Sequence, residues 1–150
     1  MNRYVLFDTS ILSEVTNPKQ TDLRVKMSEW VQSLVLNQIT IVVPEICDYE
    51  LRRELIRGNK TNGIKRLDEF IGYHLYLPIN SKVMKKAAQY WADARKQGKQ
   101  TTDDCKLDAD MILCAQANSL AGQGYNVEVA TENLRHLTLF VVAKKWDQIC

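Results

Sequence analysis

The sequence predicts an α/β fold in which helices cover both faces of a parallel sheet. Short runs rich in Val, Ile, Leu and aromatic residues alternate with longer stretches in which apolar residues recur every three or four positions. The strand-like runs are apolar at successive positions, which is typical of strands buried on both faces of a parallel sheet. The 150 residues contain no repeat and no linker-like tract, so we expect one domain spanning residues 1–150.

The predicted elements follow one another along the chain. Strands are predicted at residues 3–7, 40–43, 74–77 and 127–130, with 139–142 as a fifth. One helix is predicted to begin near Ser10. Five more are predicted at residues 22–36, 44–57, 62–71, 81–96 and 107–120. Pro44 suits the first position of its helix, where its missing N–H costs nothing.

The composition is that of a soluble globular protein. Apolar residues make up 45% of the chain and charged residues 25%, which excludes a disordered protein. No apolar run approaches the roughly 18 to 20 residues that a membrane-spanning helix needs. Asp8 interrupts the first apolar run before the core of a signal peptide could form. We therefore expect a cytoplasmic protein with no membrane partner.

Cysteine and histidine spacing argues against a zinc site. The four cysteines form no CxxC pair, and the chain has only two histidines. Cys47 and Cys114 lie in apolar helical sequence, and we expect them to be small core residues. Because disulfides are rare in the cytosol, we expect the thiols to be reduced.

Three acidic residues lie where sites form in α/β proteins. Asp8 directly follows the first strand, at the carboxyl edge of the predicted sheet. Glu50 lies at the border of the apolar stripe of its helix and faces partly inward, whereas Asp48 and Arg52 are expected to point outward. Asp110 belongs to the first turn of the helix predicted from residue 107.

Each of these acids also has a purely structural explanation. Asp8 can cap the helix that follows it. Glu50 can form a partly buried ion pair with a neighbouring arginine. Asp108 and Asp110 both suit the positive end of a helix dipole, and Asp108 suits the N-cap position.

Together, four segments bring oxygen ligands to one edge of the predicted sheet. Thr131 and Asn133 follow the fourth strand as Asp8 follows the first, and they can orient a water or a phosphate or form an ordinary turn. Clustered carboxylates repel one another unless a cation neutralises them. Oxygen ligands without histidine favour Mg²⁺ or Mn²⁺. Such a centre suits phosphodiester hydrolysis.

The segments that carry these residues resemble a known family. They are Phe7-Asp8-Thr9-Ser10, Glu50-Leu51, Asp110-Met111-Ile112-Leu113-Cys114-Ala115 and Thr131-Glu132-Asn133. In this order they resemble the PIN-domain nucleases, and most closely the VapC-type toxins of bacterial toxin–antitoxin pairs. The resemblance covers residues 3 to 142. It implies a PIN-like three-layer α/β/α sandwich with a central parallel sheet, and cleavage of RNA that depends on Mg²⁺ or Mn²⁺.

The resemblance also implies roles for individual residues. Catalytic and metal-binding roles fall on Asp8, Glu50 and Asp110. Supporting roles fall on Thr9, Asp108, Thr131, Asn133 and His136. His136 occupies the place where the family often carries a fourth acid, and a neutral imidazole is a poorer Mg²⁺ ligand than a carboxylate.

A basic stretch follows Glu50, and its residues include Arg52, Arg53 and Arg57. The net charge of +2 does not by itself indicate a nucleic-acid binder, so such a partner requires a local patch of this kind. The stretch can contact RNA phosphates, receive an acidic antitoxin segment, or form a solvated helix surface. The resemblance implies an antitoxin partner, and exposed apolar helix surface suggests a homodimer.

Two further functions remain open at the level of sequence. One is an RNA-processing nuclease outside any toxin–antitoxin pair. The other is a catalytically degenerate PIN-like module that binds RNA or a protein partner without cutting. A phosphatase with Asp8 as nucleophile is disfavoured, because Asp-Thr-Ser lacks the second aspartate two positions on.

Overall fold

The computed structural model describes residues 2–97, 104–134 and 137–150. The strands within these residues are β1 (Arg3–Phe7), β2 (Thr40–Pro44), β3 (Leu75–Leu77), β4 (Asn126–Thr131) and β5 (Ala143–Lys145). The helices are α1 (Thr9–Thr16), α2 (Asp22–Leu36), α3 (Glu45–Arg57), α4 (Thr61–Tyr73), α5 (Ser81–Lys96) and α6 (Asp104–Ala121). Short 3₁₀ turns cover Leu137–Leu139 and Trp146–Gln148.

All five strands form one parallel sheet in the order β3-β2-β1-β4-β5. Val5, Leu6 and Phe7, the last three residues of β1, have no exposed surface, as expected for a strand covered on both faces. The predicted α/β fold with a parallel sheet is therefore confirmed. The chain builds β1, β2 and β3 outward on one side and then crosses to β4 on the other side of β1. The carboxyl ends of β1 and β4 consequently flank the point where the strand order reverses.

Side-chain caps fix where the two best-predicted helices begin. The Thr21 hydroxyl accepts from the Arg24 N–H ahead of α2, and the Asn80 carbonyl oxygen accepts from the Val83 N–H ahead of α5. Both helices have the bounds that the sequence predicted.

No helix in the described part of the chain is long and apolar enough to cross a membrane.

The strand predicted at residues 139–142 is wrong. Leu137–Leu139 forms a 3₁₀ turn, and the last strand is the more polar Ala143–Lys145. Phe140 stacks on Tyr90 of α5, with ring centroids 4.4 Å apart, and so packs on a helix instead of pairing in the sheet. A short apolar run looks the same in sequence whether it forms a strand or packs on a helix, so the sequence could not distinguish the two structures.

Helix α6 begins three residues before the predicted start at Leu107. Asp108 therefore lies inside the helix, and the prediction that it is the N-cap is wrong. The polar residues 104–106 led to the misplaced boundary, because a helix need not present an apolar residue in its first turn.

The prediction that Asp48 points outward is also wrong. Its residue is only 9% exposed, and its carboxylate accepts from Arg52 Nε at 3.1 Å and from the Tyr76 hydroxyl at 2.9 Å. Arg52 Nη2 in turn lies 2.7 Å from Asp68 on α4. The network ties α3 to both β3 and α4, and it satisfies a carboxylate that would be costly to bury alone.

Replacing Asp48 with asparagine should lower the free energy of unfolding by about 2 kcal/mol, because the buried hydrogen bonds to Arg52 and Tyr76 lose a charged acceptor. Asp68→Asn is the matched control, since Asp68 is exposed and such a pair contributes at most about 1 kcal/mol. Urea unfolding followed by circular dichroism measures both values. Equal losses for the two variants would contradict a structural role specific to Asp48.

Candidate active site

Asp8 joins the end of β1 to the start of α1 and is 3% exposed. Its N–H donates to Ala130 O of β4 at 3.0 Å, which continues the pairing of the two strands. Its Oδ1 accepts from the Thr9 N–H at 2.7 Å, so Asp8 does cap α1. Its Oδ2 accepts from the Thr131 hydroxyl at 2.6 Å, across the point where the strand order reverses. The cap and the position at the sheet edge are therefore compatible.

Glu50 reaches the same place from the middle of α3, with 15% of its side chain exposed. The Thr9 hydroxyl donates to Glu50 Oε1 at 2.8 Å. Arg53 Nη2 lies 3.9 Å from the other carboxylate oxygen, so the ion pair foreseen for Glu50 is present but long. Thr9 thus contacts both acids, through its N–H to Asp8 and its hydroxyl to Glu50.

Asp110 arrives from α6 and is 3% exposed, whereas Asp108 on the same helix is exposed. The orientation of α6 is held by Gln116, a fully buried side chain. Its Nε2 donates to Leu77 O at 2.7 Å, and its Oε1 accepts from the Ile46 N–H at 3.4 Å. The amide therefore links α6 to the end of β3 and the start of α3.

The three acids line one pocket of about 350 Å³. The remaining lining residues are Thr9, Ser10, Ser13, Leu51, Glu54 and Asn133. The structure thus brings together Asp8, Glu50 and Asp110 with the predicted supporting residues Thr9 and Asn133. Thr131 contacts the pocket through Asp8, and Asp108 is not among the lining residues. His136 lies outside the described residues.

Glu54, which the sequence suggested was only a surface or helix-start charge, also lines this pocket, and its side chain is 55% exposed. It lies four residues after Glu50, one helical turn along α3, and that spacing was the available signal. Its Oε2 accepts from Arg57 Nε at 3.0 Å, and this hydrogen bond holds the pKa of Glu54 below its usual range. Glu54 therefore stays ionised while its charge is balanced locally.

The pKa values of two buried thiols are raised by burial and by the negative charges of the acids. Burial raises the pKa of Cys47, and the charges of Asp8 and Glu50 raise it further. Burial likewise raises the pKa of Cys114, with added contributions from Asp110 and Asp8. Both side chains are buried in the core, as predicted, and both thiols are protonated at neutral pH.

The donor chemistry of the pocket suits a hard divalent cation. The acids and the Asn133 amide offer oxygen atoms, and oxygen ligands favour Mg²⁺ or Mn²⁺. Within the described residues, however, no group of three His, Cys, Asp or Glu side chains is arranged so that it could hold a metal ion. Hydrogen bonds to Thr9 and Thr131 hold Asp8 and Glu50 where they are.

The three arginines predicted to contact RNA all have carboxylates nearby. Arg52 pairs with Asp48 and Asp68. Arg57 pairs with Glu54, and Arg53 lies over the Tyr49 ring at 5.1 Å and 3.9 Å from Glu50. A basic stretch is present, but each of its arginines has its charge at least partly balanced within the protein.

Chains from three solved VapBC complexes have a similar fold. A chain of VapBC2 from Rickettsia felis, solved with a DNA fragment from the promoter, matches with a TM-score of 0.74 and 16% identity, over 96% of this chain and 99% of that one. A chain of DNA-bound VapBC from Salmonella typhimurium matches with a TM-score of 0.66 and 18% identity, over 97% and 99%. A chain of VapBC-1 from nontypeable Haemophilus influenzae matches with a TM-score of 0.56 and 14% identity, over 96% of this chain and 98% of that one.

These likenesses establish the fold over nearly the whole chain. The three-layer α/β/α architecture implied by the resemblance in the sequence is therefore confirmed. No family model matches the chain, and no curated protein matches it in sequence. The roles of individual site residues remain predictions.

Thr131→Val should lower the free energy of unfolding by about 1 to 2 kcal/mol, because Asp8 Oδ2 would lose its buried hydroxyl donor. Thr131→Ser keeps the hydroxyl and is the matched control. Urea unfolding of the two variants measures the difference. A valine variant as stable as the serine variant would show that the hydrogen bond does not hold Asp8 in place.

Proposed function

We propose that the chain is a ribonuclease that hydrolyses RNA phosphodiester bonds with Mg²⁺ or Mn²⁺, and that it is the toxin of a toxin–antitoxin pair. The observation that carries the proposal is the pocket in which Asp8, Glu50 and Asp110 meet. The three residues come from β1, α3 and α6, far apart in the chain, and each carboxylate is at least 85% buried. Burial of three acids in one place is costly unless a cation compensates them.

Asp8, Glu50 and Asp110 are the residues that would hold the cation. When bound, a divalent cation polarises the phosphoryl oxygen and lowers the pKa of a water ligand. The protein's own contribution is to position the carboxylates. Thr9 and Thr131 donate to Asp8 and Glu50 from fixed backbone positions, and this limits the directions in which the carboxylate oxygens can point.

The toxin assignment draws support from the fold. The similar chains come from VapBC complexes, so an antitoxin is the protein partner that we propose. We also propose that the chain acts in the cytoplasm as a homodimer. Leu36 and Tyr73, which are 81% and 85% exposed, line one surface groove with the exposed Val35 and Leu75. A contiguous apolar patch of this kind is typical of a protein–protein interface.

A second candidate is a degenerate module that binds RNA without cutting it. It is favoured by the absence, within the described residues, of three side chains already arranged to hold a metal ion. Metal titration separates the two functions. The nuclease cuts RNA only when Mg²⁺ or Mn²⁺ is added, whereas the binding module retains RNA with or without the metal and does not cut it.

Asp110→Asn should reduce metal-dependent RNA cleavage on the order of a hundredfold or more, because it removes a buried charged ligand. Asp108→Asn is the control on the same helix and should cleave like the unmodified protein, since Asp108 is exposed outside the pocket. Cleavage of a labelled single-stranded RNA in Mg²⁺ measures both. An inactive Asp108 variant beside an active Asp110 variant would reverse the assignment.

The same pair of variants gives a readout that does not depend on activity. Mg²⁺ or Mn²⁺ should raise the Tm of the unmodified protein and of Asp108→Asn, because a ligand that binds the folded state stabilises it. Asp110→Asn should show a much smaller rise. A metal-induced rise of equal size in both variants would place the metal elsewhere.

Expression of the chain alone in bacteria should slow growth, and co-expression of a cognate antitoxin should restore it. Asp8→Asn is the control, because it nearly keeps the shape of the side chain while removing its charge and one of its two acceptor oxygens. Growth curves and the RNA pattern of the cells report the outcome. Unimpaired growth with a folded protein that cuts RNA in vitro would favour an RNA-processing nuclease outside a toxin–antitoxin pair.

A further inference from the structure

A groove leads away from the acidic pocket between α1 and α3. Its volume is about 640 Å³, and it shares the lining residues Ser13 and Leu51 with the pocket. Helix α1 begins beside the acids at Thr9 and ends at Thr16, about 12 Å further on for eight residues. The groove is therefore a continuation of the pocket toward the ends of α1 and α3.

The far part of this groove combines apolar, amide and cationic groups. Leu51 and Leu55 of α3 supply its apolar side. Polar residues come from the segments that follow α1 and α3 and from the first turn of α4. These polar lining residues are Asn17, Lys19, Asn59, Lys60, Thr61 and Asn62.

The two lysines differ from the arginines of α3 in their electrostatic surroundings. Lys19 and Lys60 are exposed, and neither forms a salt bridge with a carboxylate of the described residues. Arg57, by contrast, pairs with Glu54 at the border between pocket and groove. That pair balances the charge of Glu54, one of the four carboxylates of the described residues that line the pocket.

We propose that this groove binds the RNA strand next to the scissile phosphate, with Lys19 and Lys60 contacting backbone phosphates. The proposal rests on the ribonuclease function proposed above, and it shifts the phosphate contacts from the arginines of α3 to these lysines. A polymer that reacts in the pocket must continue into a neighbouring groove. Aliphatic side chains such as Leu51 and Leu55 can cover the faces of unpaired bases and remove them from water, and amide groups can hydrogen-bond base edges. The groove therefore fits a single strand better than a duplex, in which the base edges are already paired.

The test measures binding of a fluorescein-labelled single-stranded RNA to the full chain in EDTA, where cleavage cannot occur. Fluorescence anisotropy is recorded over a range of salt concentrations for the unmodified protein and for the double variant Lys19→Gln, Lys60→Gln. Each phosphate contact contributes about 0.7 to the slope of log affinity against log salt. The double variant should therefore bind more weakly, with a slope smaller in magnitude by about 1.4.

The matched control is the double variant Lys82→Gln, Lys85→Gln. These lysines line a different groove beside α5, which has no lining residue in common with the acidic pocket. The control should keep the slope of the unmodified protein. Equal changes in both double variants would overturn the proposal, because they would show that RNA responds only to total charge. Failure of the unmodified protein to bind the RNA would also overturn it.

Two further measurements distinguish this proposal from two alternatives, which are binding of an acidic protein segment and RNA binding without cleavage. Poly-L-glutamate is titrated as a probe for an acidic polypeptide. If the Lys19/Lys60 variant loses poly-glutamate binding but keeps RNA binding, the groove takes an acidic protein segment and the proposal is overturned. Cleavage in Mg²⁺ is measured in parallel. Lysine-dependent RNA binding without any cleavage would refute the ribonuclease function and leave the groove assignment intact.

Discussion

The structure depends on the parallel pairing of β1 with β4. Because β4 enters the sheet only after the chain has crossed from β3, residues at the two ends of the sequence meet at the centre of the sheet. The backbone N–H of Asp8 completes that pairing through Ala130, and its carboxylate then accepts from Thr131. One residue thus ends a strand, begins a helix and presents a buried charge. The position of Glu50 follows from it, because Thr9 is the next residue and donates to Glu50.

Helix α3 carries two acids whose burial is compensated in different ways. Asp48 meets Arg52 and Tyr76, so its charge is matched by groups of the protein and its contribution is structural. Glu50 has one hydroxyl donor and a guanidinium 3.9 Å away, and it shares its pocket with Asp8 and Asp110. A buried acid whose charge is matched by groups of the protein stabilises the fold. A buried acid whose charge is only partly matched can still bind a cation.

Patterns within single elements were enough to predict much of the fold. The bounds of α2 and α5 were predicted correctly, and the caps that fix their starts in the structure are local in sequence. Asp8 was placed correctly at a strand edge because a strand end is also a local feature. The burial of Asp48 could not be predicted, since it depends on Tyr76, which lies 28 residues further on. The strand prediction for residues 139–142 failed for the same reason, because Phe140 packs on Tyr90 of α5, which is distant in the sequence.

The buried amide of Gln116 bears on how the chain could vary over evolution. Gln116 lies six residues beyond Asp110, and its two hydrogen bonds hold α6 against Leu77 and Ile46. The rotation and axial position of Asp110 are thereby set from the C-terminal side of the helix. Insertions or deletions in the chain ahead of α6 would be absorbed before they reach the acid. The number of residues between α5 and α6 could change among descendants of this sequence while the pocket keeps its shape.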